Sequence, residues 1–185
     1  TVAGSSAGAG FEWTPNADML PSDLTAHIAY TPRANGGSSN DKAVAGDDGG
    51  IGYGVDLVLS HSGLADGLNV YGGISKVEQT DASTYSDDRQ EWAVGAEYAI
   101  SMITLGYEVT KKDLNTIASS TTSFYENHIW GVAVAVSDNL SVSYGSHESE
   151  RNLVGAANVT AKAKSWQAAY SMGGASVRVA HASVD

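Results

Sequence analysis

The chain's reactive side chains are mostly carboxylates: 21 Asp and Glu, against five His and no Cys. Two acidic doublets stand out, Asp47–Asp48 and Asp87–Asp88, with Glu91 close to the second. Calcium takes several carboxylate and carbonyl oxygens, so these four Asp are weak Ca²⁺ candidates. The D-x-D-x-D-G order with a distant Glu is missing, and a solvated acidic loop is the better reading. His27, His61, His128, His147 and His181 stand singly. None has zinc spacing, and no Glu joins two of them on a helix. A lone polar residue in a wall or loop is the plain reading of each. Without Cys there is no thiolate metal site and no disulfide framework. A hydrolase using a rim Asp and His to activate water is the enzyme alternative. No G-x-S-x-G elbow is present and nothing singles out such a dyad. The expectation is therefore no enzyme, no catalytic residues and no cofactor.

Composition narrows the class. The formal net charge is −11, which argues against nucleic acid, whose binding needs Lys and Arg on phosphates. Charged residues make up 17%, below the roughly 25% of a soluble domain. Tyr (9) and Trp (4) dominate the aromatics, with only two Phe. Those amphipathic rings suit membrane–water interfaces. No apolar run nears the ~20 residues of a spanning helix, but a spanning strand needs only about 9–11.

The elements that must position these residues alternate with period two. EWAVGAEYAISMITLGYEV, residues 91–109, puts Trp92, Val94, Ala96 and Tyr98 on one parity and Glu91, Gly95 and Glu97 on the other. Ten strands follow from such runs: 8–14, 24–33, 50–61, 68–80, 91–100, 103–114, 124–137, 140–151, 161–172 and 175–185. Their connections alternate in length. Those at 62–67, 101–102, 138–139 and 173–174 are short, and those at 34–49, 81–90, 115–123 and 152–160 are long and polar. The stretch 15–23 falls on the short side by order. In an up-and-down antiparallel sheet, alternate connections share an edge. One edge is then all tight turns and the other all long loops, as in outer-membrane barrels. Greek-key sandwiches would mix the lengths.

The faces differ in the same sense. Trp92, Trp130 and Trp166 enter their strands from the long-loop edge on the apolar parity, and Tyr98 and Tyr170 lie further along. This reads as two aromatic girdles around a lipid-facing band of Val and Ala. The other parity is small or polar. Glu12, Arg33, Asp56, Glu97, Glu108, Ser143, Gln167 and Arg178 are its pore-lining candidates. Acids outnumber bases among them, which suggests a mild cation preference. Lys111–Lys112 and Lys162–Lys164 sit at long-loop ends, where anionic headgroups would be met.

The order GFEWTP, HIAYTPR, GYGVDLVLSHSGLADGLNVYGGISK, DDRQEWAVGAEYAISMITLGYEV and SWQAAYSMGGASVRVAHASVD resembles the general (non-specific) porins of Gram-negative bacteria, particularly the alphaproteobacterial kind. Glu91–Ala96 with Thr104–Tyr107, and the hairpin 165–182 with its Gly173–Gly174 turn, carry the likeness best. The resemblance implies a homotrimer of 16-stranded barrels in outer-membrane lipid, each with an inward-folded constriction loop. It implies passive diffusion of small hydrophilic solutes and ions. The sequence departs from that pattern in having ten strands and in ending Val184–Asp185 rather than on an aromatic residue. The expectation is thus a single β-barrel domain over 1–185 that is an internal piece of a larger porin. About five strands would be missing before it and one after it. The alternative is a soluble or surface-attached extracellular β-protein, such as an adhesin or surface-layer domain.

Overall fold

The computed structural model describes residues 10–32, 51–79 and 82–185. Ten strands form one antiparallel sheet in strict chain order. They are β1 Phe11–Trp13, β2 Leu24–Thr31, β3 Ile51–His61, β4 Leu68–Gln79, β5 Arg89–Ile100, β6 Ile103–Asp113, β7 Thr122–Ser137, β8 Leu140–Leu153, β9 Val159–Met172 and β10 Ala175–Val184. Strands β2 to β10 fall within two residues of the alternation pattern. The first ends at Trp13, one residue before the expected end, just ahead of Thr14–Pro15, where proline offers no ladder donor; residues 8 and 9 lie outside the described residues. Arg33 and the loop 34–49, with Asp47 and Asp48, lie outside the described residues.

The tight turns share one edge and extend the ladder beyond it. The carbonyls of Gly67, Met102 and Asn139 each accept a bond of 2.8 Å, from the amides of Ala99, Ala135 and Ser171. The carbonyl of Asp23 accepts from the amide of Ser62, which places the 14–23 connection on the same edge. A short 3₁₀ turn, Ala17–Met19, occupies its middle. The long loops are tied together at the opposite edge. Tyr85 and Thr116 form a bridge between the β4–β5 and β6–β7 loops. Ser120 N donates to Val154 O, and Val154 N to Thr121 O, joining the β6–β7 and β8–β9 loops.

Burial is inverted relative to a soluble sheet. Among the described residues, the buried apolar side chains are Ala26, Val77 and the ring of Pro15. The apolar parity is open, with Val94 54% and Ile74 59% exposed. The polar parity is the enclosed one: Ser75 is 4% exposed and Glu91 7%. Among the described residues no second layer covers the apolar face, since every described strand belongs to the one sheet. A chain in water would place that face inside.

Gly67 tests the turn geometry. Its φ is +76°, and a Cβ there would collide with the carbonyl oxygen of Ala99. The Gly67→Ala variant is expected to lose about 1–3 kcal/mol of stability. Gly174→Ala meets no atom within 4 Å and should change little. Urea midpoints of the two variants against the parent check this.

Candidate functional site

Register collects the polar-parity residues into rows that cross the sheet. One row runs Glu12, Ala29, Asp56, Ser75, Glu91, Lys112, Tyr125, Arg151 from β1 to β8. Glu91 Oε1 stands 2.9 Å from Lys112 Nζ and 3.4 Å from Arg89 Nε. These contacts are ionic rather than well-directed, since Glu91 Oε1 and Arg89 Nε are buried without a hydrogen bond of good geometry. Asp56 Oδ1 is likewise buried with no hydrogen-bond partner.

A second row holds Tyr71, Gly95, Glu108, Ile129 and His147. The Tyr71 hydroxyl, on β4, donates across β5 to Glu108 Oε2 on β6 at 2.9 Å. Beside it, the Asn127 amide donates to Thr110 Oγ1 at 2.9 Å, and Asn127 Oδ1 lies 3.1 Å from His147 Nε2. A third row sets Glu97 beside Gly106, Gly131, Gly145 and Ser165. Three adjacent glycines leave bare backbone there, the floor of a hollow of about 480 Å³ edged by Tyr71, Glu97, Glu108 and Ser143. Thr104, Ala133, Ser143 and Gln167 make the next row, and Arg178 lies opposite Ala169 beyond it.

Seven of the eight pore-lining candidates therefore share this face: Glu12, Asp56, Glu97, Glu108, Ser143, Gln167 and Arg178. Sequence reasoning missed Tyr71, Arg89, Lys112 and Arg151 as members of it. Strand parity carried the signal. Lys111 and Lys112 read in the sequence as one loop-end pair, yet adjacent strand residues face opposite ways. Lys112 pairs with Glu91 on the polar face, and Lys111 lies opposite Trp92 on the apolar one. Among the described residues, five acids on the polar face (Glu12, Asp56, Glu91, Glu97, Glu108) meet four bases (Arg89, Lys112, Arg151, Arg178). The acid excess inferred from the sequence nearly vanishes.

The five interface aromatics all lie on the apolar face. Trp130 shares its row with Ala96, and Trp166 shares its row with Tyr98. Those rows cross β5 four and six residues beyond Trp92. Six residues of strand are about 20 Å, and four strand spacings are about 19 Å. The three Trp form one level belt if the strands lean by about 45°, near the tilt of membrane barrels. Trp130 also packs against Tyr144, with ring centroids 5.5 Å apart.

The acidic doublet Asp87–Asp88 is engaged by protein groups. Asp88 accepts from Lys76 Nζ at 2.8 Å and from Gln79 N at 3.1 Å, and Asp87 Oδ1 accepts from Asp88 N. Gln79 and Asn115 side chains clamp the same loop by donating to the carbonyls of Leu114 and Asp88. No group of three or more metal-ligating side chains converges among the described residues.

A single sheet with an enclosed polar face and an exposed apolar face is the wall of a membrane β-barrel. The description Gram-negative porin matches residues 4–183, and the chain belongs to that family. The family places it in the outer membrane. No curated protein sequence matches. Among solved structures, OmpF of Salmonella typhi in complex with daunomycin superposes with a TM-score of 0.70 at 17% identity. The match covers 94% of this chain and 53% of that one, so the chain spans about half the length of that relative.

Two outcomes follow. Val94→Lys puts a charge on the apolar face and is expected to cost about 2–4 kcal/mol, while Ser143→Lys on the polar face is tolerated. The fraction that folds into lipid vesicles, read as the heat-modifiable gel band, measures both. Separately, the hydrogen-bonded Lys76 ammonium holds the Asp88 carboxyl below the usual carboxylate range. That pairing stabilises the loop above the ordinary value of about 4 and is lost as pH falls through the lowered one. Thermal stability of the parent should then drop more steeply below about pH 4 than that of Asp88→Asn. Equal slopes would remove the contribution.

Proposed function

We propose that these ten strands are wall segments of a water-filled diffusion pore. Small hydrophilic solutes and ions would pass down their gradients along the polar face. The path needs no chemistry: the charged groups of the polar face attract, repel and hydrogen-bond. The observation that carries this reading is the inverted burial, with Glu91 and Ser75 enclosed and Val94 and Ile74 exposed. Hydrocarbon accepts the second pair, and a wet lumen accepts the first. An adhesin or surface-layer domain stable in water would have to cover the apolar band, and the sheet offers nothing to do so.

Two further features belong to the proposal. One is closure. Strands β1 and β10 each have one unpaired side in this sheet, and hydrocarbon does not tolerate open edges. Together with the half-length match, this supports a larger barrel to which 1–185 contributes one continuous part. The other is a homotrimer embedded in outer-membrane lipid, which rests on the family. Interfacial Trp92, Tyr98, Trp130, Trp166 and Tyr170 would set the depth of the wall. Ca²⁺ in the outer loops is not needed to hold Asp87 and Asp88, whose carboxylates already have partners.

Protein purified in detergent from outer membranes is expected to insert into planar bilayers as stepwise, ohmic conductance increments. On a gel it should run as a high band unheated and collapse on boiling. Conductance steps absent at micromolar protein, from a sample that stays monodisperse without detergent, would overturn the reading.

A further inference from the structure

We infer that Tyr71 is a positioning residue that controls how far Glu108 reaches into the permeation path; the inference rests on the porin reading above. Tyr71, Gly95 and Glu108 occupy one row on three consecutive strands. A tyrosine on β4 reaches a carboxylate on β6 only by lying flat across β5. Gly95 makes that possible. A Cβ at Gly95 would sit 2.6 Å from the Tyr71 ring carbon bearing the hydroxyl and 2.6 Å from the hydroxyl oxygen. Contacts that close do not occur, so the ring occupies the space that any other residue would fill. The hydroxyl then donates to Glu108 Oε2 at 2.9 Å.

The consequence is electrostatic. A carboxylate has two oxygens and about four acceptor positions. The tyrosine occupies one oxygen of Glu108 and draws the group towards the wall. Glu97 lies one residue pair further along and has no such strap among the described residues, so the two acids of this stretch are presented differently. Passing cations meet Glu97 free and Glu108 partly satisfied. Lumen carboxylates set cation preference, so the strap acts as a brake on it. Gly95 is thus a pore residue in effect, although it carries no side chain.

Reversal potentials in a KCl gradient across planar bilayers test this. The outer-membrane protein is compared with Tyr71→Phe, Glu108→Gln and the double variant. Tyr71→Phe keeps the ring over Gly95 and removes the donor. It should shift the reversal potential towards greater K⁺ preference, and Glu108→Gln should shift it the opposite way. In the Glu108→Gln background, Tyr71→Phe should add no shift, because Tyr71 acts through that carboxylate. Gly95→Ala displaces the ring and should shift selectivity in the same direction as Tyr71→Phe, with a smaller single-channel conductance. No shift in Tyr71→Phe, or the same shift with and without the Glu108 carboxylate, overturns the inference while leaving a working porin. A parent protein without channels overturns the porin reading, and this inference with it.

Discussion

Hydrocarbon leaves a backbone no partner but itself. Every N–H and C=O that crosses a bilayer must find its mate inside the protein, which leaves helices and closed sheets as the spanning structures. Among the described residues no helix is long and apolar enough to cross a membrane, so the ladder carries the burden there. Its register is nearly continuous, with shifts only at Ile51/Gly54, Thr122/Phe124 and Ala135/Ser137. Those shifts sit at strand ends, where backbone groups reach water and an unpaired position costs little. The tight turns prolong the same ladder, as Gly67, Met102 and Asn139 accept from the next hairpin.

Once the ladder is fixed, alternation decides everything else. Each residue faces lipid or lumen with no intermediate choice, and a slip by one would swap them all. This explains how a wall with almost no conventional core is specified. The polar face supplies the lateral stiffness through pairs that span strands: Glu91 with Lys112 and Arg89, Tyr71 with Glu108, Asn127 with Thr110 and His147. The outer loops repeat the device with backbone acceptors, so the Asp88, Asn115 and Gln79 cluster keeps the long-loop rim ordered. Electrostatics and hydrogen bonds in an enclosed, wet space take the part that apolar packing takes in soluble proteins.

Much of this is legible in the sequence because a period-two pattern survives translation into space. Strands β2 to β10, the loop-length alternation and the placing of Trp92, Trp130 and Trp166 on one face all follow from counting. Cross-strand relations are not legible, because they depend on register. The Tyr71–Glu108 strap joins residues 37 apart through a glycine that looks like a neutral filler in the one-dimensional string. The Glu91 cluster was hidden for a related reason. Arg89 falls in the 81–90 loop of the alternation pattern, whereas β5 begins at it, and Lys112 joins the polar face by its parity within β6. The first strand ends one residue before its alternation suggested, because Pro15 follows so closely.

The central claim is that the enclosed polar face lines water and the exposed apolar face meets lipid. The chain has no cysteine, so single cysteines report it cleanly. The neighbours Val132 and Ala133 lie on opposite faces at the same depth. Each is replaced by Cys in protein reconstituted into vesicles and treated with a charged, membrane-impermeant thiol reagent. The account predicts labelling of Ala133→Cys and protection of Val132→Cys until detergent is added. Labelling of Val132→Cys with protection of Ala133→Cys would contradict it, and would mean that the apolar face is the one turned to water.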